Sequence, residues 1–76
     1  PGSASRPMPE RQRALRYVAD LLVSYRARLR TPNLWASKVA FYHERIAGLT
    51  RDLALLQTSG PEAEQSARRW CLVAGL

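Results

Sequence analysis

Seventy-six residues make one small domain and exclude a multi-domain enzyme with separate cofactor and substrate halves. Hydrophobic residues are 46% and charged residues 24%, an ordinary globular composition that excludes collagen-like, low-complexity and wholly disordered chains. Twelve Lys and Arg against six Asp and Glu give a net charge of +6, which favours acidic partners, and the lone Cys71 excludes a disulfide framework and fits a reducing, intracellular compartment.

In chain order, Pro1-Gly2-Ser3 has the character of a cleaved tag, and the sequence is expected to be a fragment of a longer protein. Residues 1–9 carry prolines at positions 1, 7 and 9, so this stretch is expected to be a flexible arm outside a single helical domain at 10–76. From residue 10 to residue 30 the large apolar residues are Leu15, Val18, Leu22, Tyr25 and Leu29, alternately three and four apart, the spacing of one face of a helix. Apolar runs such as Leu21-Leu22-Val23 are far too short to cross a bilayer, so no transmembrane segment is expected.

Thr31 and Pro32 are expected to end this helix and begin the next, Thr31 as the cap and Pro32 in the first turn. The second helix, over 32–58, repeats the stripe with Trp35, Val39, Tyr42, Ile46, Leu49, Leu53 and Leu56, and would be about 40 Å long. A connection this short between two long helices predicts an antiparallel hairpin with the seams facing each other. Ser59 and Glu62 stand at capping-box spacing around Gly60-Pro61, which starts a third helix over 61–75. Its apolar face reads as Ala63, Ala67, Trp70, Val73 and Ala74, with Trp70 the largest contributor. The fold class is therefore all-α, a hairpin of two long heptad-patterned helices plus a shorter third, as in a three-helix bundle.

A feature of the second helix exceeds what a hairpin needs. Leu34, Phe41, Gly48 and Leu55 recur every seven residues away from the main seam, and Ala40, Ala47 and Ala54 form a line of small residues beside it. Either line can seat the third helix. Otherwise Leu34, Phe41 and Leu55 stay uncovered and anchor a partner helix or a second copy in a homodimer, with Lys38 and Arg45 setting orientation by charge. The expected function is non-catalytic protein recognition or oligomerisation. The alternative is a basic module contacting nucleic acid or an anionic surface through the arm and the first helix, with Arg11, Arg13, Arg16 and Arg30 as the contacts.

No catalytic, cofactor or metal site is expected. His43 is the one histidine and its helical neighbours are Val39, Ala40, Ile46 and Ala47, so it borders the seam with no ligand cluster around it. Cys71 beside Trp70 reads as a small buried hydrophobe. The segment 22–30 is similar over a few residues to the tripeptide signature of the small basic LYR proteins. Ser24 replaces its leading leucine and Tyr25 falls at the end of its helix, so the family is not assigned.

Overall fold

The computed structural model describes residues 8–76, which form three helices that all pack against one another. The arm expected at 1–9 lies mostly outside the described residues. Helix α1 spans Glu10–Leu29, α2 spans Ala36–Leu56 and α3 spans Pro61–Ala74. No strand occurs among the described residues.

Helix α1 opens at Pro9, whose carbonyl accepts the first backbone bond from Arg13 N–H at 3.0 Å. Glu10 in the first turn and Arg26 and Arg28 in the last complement the helix dipole. The helix closes by tightening, with Arg30 N–H donating to Ala27 O and Thr31 N–H to Arg28 O, both at 3.1 Å.

The start expected for α2 is corrected. The helix begins at Ala36, four residues after Pro32, and Thr31 does not cap it. The cause is Asn33, which takes a left-handed backbone conformation at φ 63°, one that asparagine tolerates and a helix cannot contain. Trp35 consequently becomes the extended residue before the helix, with φ −67° and ψ 148°, and its side chain is 78% exposed. It does not anchor the seam.

At the other end, α2 leaves carbonyls that need donors. The Thr58 hydroxyl donates to Leu55 O at 2.6 Å, and the Arg11 guanidinium reaches from α1 to Leu56 O at 3.2 Å and Thr58 O at 3.3 Å. A cation at a helix C-terminus also meets the negative end of the dipole, so Arg11 ties the start of α1 to the end of α2. Tyr25 and Tyr42 meet at 5.7 Å between ring centroids, bringing the later part of α1 against the earlier part of α2.

Extended Gly60 and Pro61 in the first turn start α3, with Glu62 and Glu64 at its positive end. The Ser59–Glu62 capping box does not form, because Gly60 holds the cap position and leaves Ser59 one residue too early. Gly75 ends α3 in the left-handed conformation, φ 69°, and both its N–H and that of Leu76 turn back to Cys71 O, the latter at 2.9 Å.

Among the described residues, eight hydrophobic ones are buried: Ala14, Val18, Leu22, Leu49, Leu56, Ala63, Ala67 and Cys71. Half of these are small, which lets α3 lie close to the other two helices. Val18, Leu22, Leu49 and Leu56 belong to the seams read from spacing, and Leu15, Tyr25, Ile46, Leu53 and Trp70 pack around them half-buried. The face assigned to α3 is corrected by one position: Val73 is 76% exposed and Cys71 takes its place inside. The inward line is Ala63, Ala67 and Cys71, four apart, and Trp70 extends sideways to meet Tyr17 at 5.8 Å.

Candidate functional site

The interior divides the molecule unevenly. Among the described residues, all eight buried ones fall within residues 14–22 and 49–71, and 23–48 contain none. Yet that middle stretch carries Val23, Trp35 and Phe41 among the exposed large hydrophobic residues, with Leu29, Leu34, Val39 and Tyr42 half-buried. Fourteen-residue α3 braces one end of the α1–α2 pair through Ala14, Val18 and Leu56 and leaves the end at the α1–α2 connection with two helices only. Two helices cannot enclose a side chain on all sides.

At that end four of the five residues expected to bind a partner form one continuous surface. A concavity of about 390 Å3 is lined by Asn33, Leu34, Trp35, Ser37, Lys38 and Tyr42. Ser37 and Lys38 join it to Phe41, which is 50% exposed. Beyond Phe41 a second cleft is lined by Phe41, Glu44, Arg45, Gly48, Leu49, Asp52 and Trp70. Leu55, the fifth residue, is half-buried and lines none of these depressions.

The rings of this surface support one another. Tyr42 lies between Tyr25 and Phe41, its centroid 5.7 Å from each. The guanidinium carbons of Arg28 and Arg45 lie 5.4 and 5.8 Å from the centre of the Tyr25 ring, within the range of cation–π attraction. Two cations held over one ring, with Lys38 beside the concavity, make this end positive. Helix α2 has no acidic residue in its first turn and no side-chain cap, so its own dipole adds to that field.

Of the two lines proposed to seat α3, the alanine line does not, and the Phe41–Gly48 line does so in part. Ala40, Ala47 and Ala54 are all exposed, and α3 instead approaches the Phe41–Gly48 side through Trp70. A Cβ on Gly48 would meet nothing within 4 Å, so this glycine is not required by close helix packing.

The four arginines expected to meet an anionic partner are dispersed in role. Arg11 is bonded to the α2 carbonyls, and Arg13 is half-buried with its Nε unpartnered. Arg16 and Arg30 are exposed. His43 is exposed on α2, and no three of the described His, Cys, Asp and Glu residues come together as a metal site would need. Cys71 is a free, buried thiol whose Sγ lies 3.7 Å from Glu10 O, the small buried hydrophobe that its position predicts. No described helix is long and apolar enough to cross a membrane. The surface end at 23–48 was missed as a unit by sequence reasoning, although the weak apolar face of the short third helix was its available signal. Compared with known protein families, characterised proteins and solved structures, the chain matches none.

Proposed function

We propose that this chain is a non-catalytic protein-recognition module, an antiparallel α1–α2 hairpin braced at one end by α3 and free at the other to bury apolar side chains against a partner helix. The observation that carries the reading is the absence of any buried residue across the described 23–48 stretch, where Trp35 and Phe41 are exposed. Single exposed hydrophobic residues are ordinary, whereas a cluster beside a concavity marks a contact surface. Phe41, with Leu34 and Trp35 near it, is the anchor, and Lys38 and Arg45 orient the partner by charge. Leu55, half-buried two turns beyond Gly48, continues the same stripe.

Phe41→Asp tests the proposal. It is expected to keep the helical circular dichroism of the free protein and to abolish partner binding. Unfolding of the isolated domain by this substitution would make the stripe part of the core and sink the reading. The nucleic-acid alternative predicts affinity that falls steeply with salt, close to one unit of log slope for each phosphate contact. Arg11 donates to the α2 carbonyls and Arg13 is half-buried, which leaves that reading Arg16 and Arg30 as its freely exposed contacts.

A further inference from the structure

We infer that the surface at the α1–α2 connection docks an acidic amphipathic segment of another protein, with Trp35 and Phe41 meeting its apolar face and Arg28, Lys38 and Arg45 its carboxylates. This rests on the recognition function proposed above and names the chemistry of the partner.

The charge at this end selects among occupants. Lys38 is the one charged residue lining the concavity beside Trp35, and Arg28 and Arg45 both stand over the Tyr25 ring. Glu44 and Asp52 line the cleft on the far side of Phe41, together with Arg45 and Trp70. A partner's acidic side chains therefore belong at the Lys38 end, where the concavity presents a cation and no carboxylate. A second copy fits poorly, because a two-fold contact sets the same patch against itself and brings Arg28, Lys38 and Arg45 towards their own copies. Single-stranded nucleic acid needs free ring faces for stacking. Here Tyr25 lies under two guanidiniums and Tyr42 is flanked by two rings, which leaves Trp35 as the most open platform.

The probe is a synthetic helix of about 18 residues, long enough to hold helical structure, with leucine on one face and glutamate on the other, fluorescently labelled for anisotropy. A control peptide has lysine in place of every glutamate, and a mixed-sequence single-stranded oligonucleotide serves as the third ligand. The acidic peptide is expected to bind and the basic peptide not to, with affinity falling as salt rises. Lys38→Glu and Arg45→Glu should each weaken binding at least about fivefold. Trp35→Ala should weaken it about thirtyfold, the scale of an interface anchor, with helicity unchanged.

No binding of the acidic peptide, equal affinity for both peptides or tighter binding of the oligonucleotide would overturn the inference. So would light scattering that shows a dimer dissolved by Trp35→Ala. Each of these is distinct from failure of the underlying reading, which is the unfolding of Phe41→Asp.

Discussion

The end of the molecule that holds α3 and the end at the α1–α2 connection are built from similar residues and have opposite fates. At the first, Val18 and Leu56 are fully enclosed because Ala14, Ala63, Ala67 and Cys71 are small enough to let a third helix close over them. At the second, Leu29, Val39 and Tyr42 have the same helical spacing and remain half-buried, outside the buried cluster that α3 joins through Ala67. Apolar periodicity thus specifies which faces meet, and the number of helices present decides how completely they are covered. An end with a repeating apolar pattern and too few helices is where another chain can add the missing wall.

The contrast can be broken by substitution. Leu56→Ala removes a fully enclosed side chain and should lower stability by about 2–5 kcal/mol in chemical denaturation, a large part of the total for so small a domain. Ala67→Leu, which pushes α3 away from its neighbours, should cost about 1–3 kcal/mol by the same measurement. Arg11→Ala removes the tie between the start of α1 and the end of α2, and a loss of about 1 kcal/mol is expected. Gly48→Ala should stabilise the protein by about 0.5–1 kcal/mol, since a helix-interior glycine with open space around it only adds freedom to the unfolded chain. Trp35→Ser should change stability by less than about 0.5 kcal/mol, the usual limit for a surface position. If Trp35→Ser proved as damaging as Leu56→Ala, the two ends would not differ as described.

Hydrogen exchange sharpens the same comparison without substitution. Amides of α2 in the first half, such as those of Tyr42 and Arg45, should exchange through lower-energy openings than those around Leu53 and Leu56. Few buried contacts hold the first group and three helices hold the second.

Much of this arrangement is legible from residue spacing. The limits of α1 and α3 fall within one residue of those expected, and Val18, Leu22, Leu49 and Leu56 are inside. The start of α2 was not legible, because Thr31-Pro32 is a sound helix opening by local rules and nothing local announces that Asn33 will turn left-handed. Once it does, Trp35 leaves the seam despite its matching spacing. Ala14 was overlooked for a different reason. Alanine carries little weight in an apolar pattern, and its burial follows from α3 lying over it. The candidate surface was half visible: Leu34, Lys38, Phe41 and Arg45 were marked by their position off the main seam, whereas Trp35 and Arg28 joined them through the shape of the connection and the placing of Tyr25.

Spacing and charge alone determined that the chain makes three helices, which faces of α1 and α2 are apolar, and that the protein is basic. Those properties follow from the helical repeat and from residue type, which are local. Only the tertiary structure decided where α3 lies, that Val73 is outside, that Arg11 caps another helix, and that Trp35 is exposed beside a concavity. These depend on contacts between residues far apart in the chain. A small rotation of one helix, or a single left-handed residue in a connection, changes them without altering the pattern from which the helices are read.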